Sequence, residues 1–485
     1  MSEFGIFVAL LLTFALGTIL VPSFIYSWKK KPVEPSLRNI ALAIQQAGGR
    51  ALVVGGKVRD DFLGILSKDI DVEVFGLDVD VLISILKDFG RVDVVGKSFG
   101  VIKLTAKDQD FDFSLPRREN KISVGHTGFE VTPDKNMTIE EAALRRDFTI
   151  NAISENILTG EIIDPFGGIK DLENRVLVPI SEKFKEDPLR VLRGFQFAGR
   201  FGMTASPLFI EFAKELKNEF NSLSKERIWV EWEKWAAKST KPSMGLKVLK
   251  ETGWLKFFPE ISALVGIPQE AEWHPEGDVF VHTCHVCDAA VEISDREGLD
   301  REKRVNLILG GLCHDLGKAV TTFFGEDGRW KSPKHDIKGE PIARTFLKSI
   351  KAPNKVVDRV CELTLLHMFH VSLKEPVSMR TVKRLMLRMK HNSVEMLRNV
   401  IEADASGRPP LPKGLPPLID VVVEMSKNIK EECSLVPLVN GGDLMKLGFK
   451  SGVELGTVKN HLFELQIEGE DCKETLLEIA RGMLV

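Results

Sequence analysis

The stretch SKDIDVEVFG, residues 67–76, sets Asp69 and Asp71 one residue apart in an apolar run with Ile70, Val72 and Val74. Residues i and i+2 of a β-strand share a face, so the pattern predicts a strand with Asp69, Asp71 and Glu73 on one side and a core on the other. Carboxylates held so close repel unless a cation lies between them, and a hard divalent ion such as Mg²⁺ suits them. A solvent-facing acidic strand has the same pattern, so the surroundings must decide. Upstream, RALVVGGKVRDDFLG (50–64) reads as an apolar strand, a Gly-Gly turn and a helix start. The amides of Gly55 and Gly56 can approach a phosphate because no Cβ intervenes, and Arg59 follows where a helix dipole favours anions. A glycine pair, an arginine and a same-face aspartate pair together make a triphosphate cradle beside a metal site, which phosphoryl or nucleotidyl transfer needs. DFDFSLPRRE (110–119) offers Asp112 as a third carboxylate, with Asp110 on its face; a solvated strand residue is the alternative reading.

These residues need a scaffold of several domains, since 485 residues exceed one ordinary core. A net charge of −3 gives no global basic signature, so any nucleic-acid surface is a local patch. Six cysteines do not make a disulfide framework and point to a reducing compartment. Cys284 and Cys287 form one CxxC beside His282 and His285, but a structural zinc site needs a second ligand cluster, and none follows. A helix is expected over 34–49 and another near 78–88, with strands near 91–96, 100–106 and 109–115. From about 180 the spacing is almost wholly helical, and GRPPLPKGLPP (407–417) reads as a linker. Residues 4–28 carry no charge and are long enough to span a bilayer, and Lys29, Lys30 and Lys31 follow directly. The positive-inside rule makes this an anchor in the inner membrane with the remainder cytoplasmic; the alternative is an untranslated upstream extension, with a start near Val33.

VGGKVRD, SKDIDVEVFG, RRDFTINAI (145–153), DPFGGIKDL (164–172) and EDPLRVLR (186–193) occur in the order seen in the class II tRNA nucleotidyltransferase and poly(A) polymerase family. From about residue 35 to its end the chain resembles a bacterial CCA-adding enzyme with an HD domain. The resemblance implies an α+β fold: a nucleotidyltransferase (polymerase-beta-like) head with a mixed sheet, followed by all-α neck, HD and tail domains. The expected bounds are an extension over 1–32, head 33–178, neck 179–262, HD domain 263–406, and linker and tail 407–485. It implies Mg²⁺ on Asp69 and Asp71, and triphosphate contacts from Gly56 and Arg59. Arg146, Asp147 and Asn151 would lie near the nucleotide's phosphates and ribose. Asp187 and Arg190, three apart, would share a helix face and read the Watson–Crick edge of C or A as a protein template. Arg193 is kept, whereas Gln196 stands where the family commonly has a basic residue, which weakens a phosphate contact. RRENKISVGHTGFEVTPDKNMTIEEAAL (117–144) resembles the loop that switches C to A addition.

HPEGDVFVHT (274–283) and LCHDLGK (312–318) resemble an HD phosphohydrolase. An adjacent His-Asp pair with a distant His and Asp can enclose a divalent metal that activates water. The candidate ligands are His282, His314, Asp315 and Asp404, with His335 and His367 for a second position; a decayed HD fold that only supports tRNA is the alternative. The expected partners are tRNA, CTP and ATP, with no protein partner implied. The expected activity is untemplated CCA addition with release of pyrophosphate, accompanied by hydrolysis of phosphomonoesters or 2′,3′-cyclic phosphates. The competing readings are a poly(A) polymerase, an A-adding enzyme, an HD phosphohydrolase with an RNA-binding head, and a membrane-tethered RNA-binding protein.

Overall fold

The computed structural model describes residues 35–67, 69–95, 101–106, 109–121, 129–432 and 435–484. The apolar run 4–28 and residues 122–128 of the proposed switching loop lie outside the described residues. Among those described, no helix is long and apolar enough to cross a membrane. The chain divides into two compact units, one reaching Asn120 and adding Glu130–Ala143 and Ile150–Ile169, the other taking Lys121–Phe129, Leu144–Thr149 and Lys170–Val485.

The first unit is built on strands β1 (Arg50–Val54), β2 (Asp71–Phe75), β3 (Arg91–Val95), β4 (Val101–Ala106) and β5 (Gln109–Ser114). Strands β6 (Arg117–Lys121) and β7 (Phe129–Pro133) follow, then β8 (Ser154–Asn156) and β9 (Ile162–Ile163). Seven of them form one sheet in the order β3-β4-β5-β2-β1-β8-β9. β2 and β5 run parallel, while β1 pairs antiparallel with both β2 and β8, so the sheet is mixed. One face buries Val72, Val74, Phe111 and Phe113 against Leu37, Ile40 and Ile44 of the helix Pro35–Gln46 and Leu82 and Leu86 of the helix Val79–Lys87. The other face buries Leu52, Val54 and Phe75 against Met137 and Ala142.

This two-sided covering corrects the strand reading. β2 is a central strand, and such strands lose the simple alternation of an exposed sheet. Glu73 lies directly opposite Leu52 and is buried, not solvent-facing. Asp69 is also not in the strand, which begins at Asp71; it stands two residues before it, exposed like Asp71.

The second unit is helical. Leu189–Phe201 packs among the helices Lys225–Lys238 and Pro242–Glu251 over an aromatic core, where Phe148 meets Phe184 and Phe209 edge-on at 5.3 and 5.1 Å. Gly194 makes this packing possible: a Cβ there would come within 2.3 Å of the Phe209 ring. The helices Val279–Arg296, Arg301–Cys313, His335–Ser349, Asn354–Leu366 and Val394–Ser406 follow. No helix spans 407–418, as the Pro/Gly-rich sequence predicts. The tail helices Gly441–Leu447, Val453–Glu468 and Lys473–Gly482 enclose a small core of their own around Leu444, Leu462 and Leu476.

Candidate active sites

In the first unit the turn after β1 needs glycine. Gly55 caps the helix Gly56–Phe62 at φ 68°, ψ −124°, which side chains with a Cβ rarely adopt. A Cβ on Gly56 would meet an Arg59 guanidinium nitrogen at 3.5 Å, so the glycines and the arginine are neighbours. Arg59 itself is buried. Its guanidinium donates to Asp60 Oδ1 at 2.9 and 2.6 Å and to the side chain of Asn151. It therefore acts first on the protein, fixing the buried Asn151. The acidic group assembles differently from its prediction: Asp71 and Asp112 sit directly side by side in the parallel β2–β5 register. Asp112 is half-buried, and its backbone N–H donates to the carbonyl of Ile70 at 3.1 Å. Register neighbours project to one side of a sheet, so two carboxylates stand together at the edge of the covered face, with the exposed Asp69 just before them. This oxygen-only set fits a hard cation such as Mg²⁺.

In the second unit Asp147 is buried. Its Oδ1 accepts from the Phe148 N–H at 2.8 Å, and its Oδ2 pairs with Arg193 Nε at 2.6 Å. Arg146, half-buried, precedes it. Asp187 and Arg190 depart from the helical i,i+3 pair. Asp187 has φ −132° and ψ 106° and lies before the helix, because the following Pro188 disfavours the helical region for it. Its Oδ1 accepts from the Leu189 N–H at 3.0 Å, and its Oδ2 pairs with Arg227 at 2.7 Å. Arg190 donates to the carbonyls of Lys183 and Arg145 at 2.8 and 2.6 Å. Gln196 is buried, with no hydrogen-bond partner for Nε2 among the described residues, so it presents no surface to a phosphate.

The HD candidates converge. Each ligand comes from at or beside a helix end except His282, which lies in the first turns of Val279–Arg296. His314 and Asp315 close Arg301–Cys313, His335 opens its helix, His367 caps Asn354–Leu366, and Asp404 lies in the last turn of Val394–Ser406. His282, His314 and Asp404 form one ligand group, and Asp315, His335 and His367 another. Asp315 joins them: Oδ2 lies 3.2 Å from His314 Nε2, and Oδ1 lies 3.2 Å from His335 Nε2. A backbone carbonyl faces each outer nitrogen. His314, His335 and His367 direct Nδ1 to Gly311, Ser332 and Thr364 at 2.8, 2.7 and 2.7 Å. In the tautomer that donates from Nδ1 to that carbonyl, Nε2 carries the lone pair a metal would take. His335 and His367 nevertheless bring these nitrogens within 3.1 Å of each other. In that tautomer two lone pairs so close repel unless a cation lies between them, and the imidazole–carboxylate donor set fits a divalent transition metal. Burial pulls His367 down to about 3, so it stays neutral as a ligand must. Burial alone would lower His282, yet Asp404 and Glu276 hold it up at about 9, so without an ion it carries a proton that a metal on Nε2 would displace.

Glu276 was not foreseen. Its Oε1 accepts from Nδ1 of both His282 and His274, at 2.7 and 2.9 Å. Burial would raise it, but the two imidazoles hold it down at about 2. Lys318, which pairs with Asp315 at 2.7 Å, was also missed, although it sits three residues on in the same motif. Cys284 and Cys287 join no ligand group among the described residues; burial pushes the Cys284 thiol up to about 12.

Residues 51–178 match the family model of the poly A polymerase head domain, and 279–401 match the HD domain. A multifunctional CCA protein of Haemophilus influenzae is 34% identical over 430 residues, covering 86% of this chain and 96% of that one. The chain belongs to the multifunctional CCA protein family. It is a nucleotidyltransferase carrying an HD domain. The corresponding protein of Vibrio parahaemolyticus is 35% identical over 320 residues, 64% of this chain and 74% of that one. The Bacillus stearothermophilus CCA-adding enzyme, solved with CTP, shares the fold at TM-score 0.64 and 23% identity, over 93% of this chain and 99% of that one. The Thermotoga maritima CCA-adding enzyme, solved with tRNA, shares it at TM-score 0.55 and 19% identity, over 94% and 97%.

Proposed function

We propose that this chain adds C, C and A to the 3′ end of tRNA from CTP and ATP without a nucleic-acid template, and that its HD centre hydrolyses phosphoesters. The observation that carries the first activity is the in-register pair Asp71 and Asp112 beside Asp69 and the Gly55–Gly56 turn. In the transfer, the terminal tRNA hydroxyl oxygen bonds to the α-phosphorus, the bond to pyrophosphate breaks, and the hydroxyl proton passes to solvent. Asp69, Asp71 and Asp112 would hold Mg²⁺, which when bound supplies charge for the attacking and departing oxygens. The amides of Gly55 and Gly56 meet the triphosphate, with Arg59 and Asn151 bracing that turn. Arg146 and the Asp147–Arg193 pair serve the phosphates and ribose. Asp187 has acceptor capacity beyond its two bonds, and Arg190 has N–H groups beyond the two it uses. Together they offer acceptor and donor to the edge of C or A.

In the second activity, a water oxygen bonds to phosphorus, the ester bond breaks, and the alcohol leaves with a proton. His282, His314 and Asp404, with Asp315, His335 and His367, would hold one or two divalent ions, which when bound make water nucleophilic near neutral pH. Glu276 orients His282, and Lys318 balances the charge of Asp315. The uncharged run 4–28 and the three lysines after it support an inner-membrane tether with the catalytic units cytoplasmic; membrane fractionation with and without residues 1–32 tests it.

The transfer is tested with a tRNA transcript ending at the discriminator base, Mg²⁺, and labelled CTP or ATP, separately and together. Two additions with CTP and a third only with ATP are expected. A ladder of A residues from ATP alone would mean poly(A) synthesis. A single A added only to tRNA ending in CC would mean an A-adding enzyme.

A further inference from the structure

We propose that the cavity between the helices Pro242–Glu251 and Val279–Arg296 is a phosphate site separate from both centres, held by Lys241, Lys247 and Lys250. The cavity measures about 230 Å³, below the roughly 300–1,000 Å³ of sites for larger molecules, which suits a group of few atoms. None of its lining residues lines the cavity beside the HD ligands or belongs to the head. Lys247 and Lys250 are three apart and share a helix face, and Lys241 stands directly before the helix. Among the described residues no carboxylate pairs with any of the three. Burial lowers the His285 imidazole, so the charge of the site rests on the lysines.

The walls are fixed before any ligand arrives. Asp288 Oδ1 accepts from the Ser243 N–H at 2.9 Å, and its Oδ2 accepts from the Ser243 hydroxyl at 2.7 Å. These two bonds fasten the first turn of Pro242–Glu251 to the facing helix. They also commit both oxygens of Asp288, the carboxylate of the lining, to Ser243 and not to a lysine. Phe280 and Cys284 are buried and line the inner side, whereas the three lysines are exposed and stand at the opening. The Lys250 ammonium lies 5.2 Å from the centre of the Phe280 ring, whose face holds it over the inner wall. Three ammoniums around one cavity repel unless an anion lies among them. A phosphate offers more acceptor oxygens than a carboxylate, and lysine meets it as a point charge.

The test reads the lysines one by one. The full chain is pulsed with an amine-acetylating reagent, and acetylation at each lysine is followed by peptide mass spectrometry. A free polyphosphate and an RNA backbone offer the same group, so two probes are run. One is methylenediphosphonate, a pyrophosphate analogue whose P–C–P bridge resists hydrolysis; the other is a tRNA transcript ending at the discriminator base. Acetylation of Lys241, Lys247 and Lys250 should fall about tenfold as the site fills, while the diphosphonate leaves the exposed Lys87 of the first unit unchanged. Protection by the diphosphonate identifies a seat for free anions, and Lys247→Gln/Lys250→Gln should then lose the protection of Lys241. Protection by tRNA alone identifies a backbone contact, and the same double variant should then bind tRNA with a salt slope lower by about 2. Protection of Lys241 that survives the double substitution, or a salt slope that does not change, would overturn the site. So would equal protection by sodium chloride at the same ionic strength, or none by either probe.

Discussion

The head and the HD centre both gather groups for a divalent cation, and they do so in opposite ways. The head offers oxygen ligands alone, with Asp69 and Asp71 exposed and Asp112 half-buried at the edge of a sheet. The HD centre buries four imidazoles and Asp315 and faces each outer nitrogen with a backbone carbonyl or carboxylate. Open carboxylates suit an ion that arrives and leaves with its nucleotide, because Mg²⁺ keeps several waters and leans on substrate phosphates. Buried, pre-oriented imidazoles suit a resident transition metal.

The largest effects would break this comparison most plainly. Asp71→Ala should lower nucleotidyl transfer by more than about a thousandfold, leaving phosphate release and thermal unfolding unchanged. Asp315→Asn should do the reverse: phosphoester hydrolysis falls at least a hundredfold by rough scale, and tRNA extension stays within about twofold. Loss of both activities in either variant would mean that the sites are not independent. A smaller effect sharpens the role of orientation. Glu276→Gln should weaken metal binding by roughly 10–100-fold, read by chelator competition, because Glu276 touches His282 only through its outer nitrogen. The smallest belongs to the head reaction. Arg227→Ala removes a half-exposed partner of Asp187 and should raise the KM for CTP about fivefold, since such pairs are worth about 1 kcal/mol.

Much of this was legible in the sequence, for reasons that differ by region. The Gly-Gly turn, the helix Pro35–Gln46 and the edge of the sheet follow from local patterns, and local rules govern them. The side-by-side placement of Asp71 and Asp112 needed the parallel register of two strands 41 residues apart, which no alternation reveals. Glu73 shares a face with Asp71 as read, but its burial was not legible because β2 is covered on both faces; Asp187 was misplaced on a helix because Pro188 holds the preceding residue out of it. The six candidate HD ligands, which the structure brings together, could be picked out from residue type and motif. Their outer contacts could not, because Gly311, Ser332 and Thr364 contribute carbonyls, which every residue carries.

The most direct test of the contrast is the metal content of the purified full chain after prolonged dialysis without chelator, measured by plasma mass spectrometry beside Asp71→Ala and His367→Ala. The account predicts transition metal retained in the wild type, the same amount in Asp71→Ala, and about one equivalent less in His367→Ala. Metal that disappears with Asp71, or a wild type and His367→Ala that retain the same amount, would contradict it.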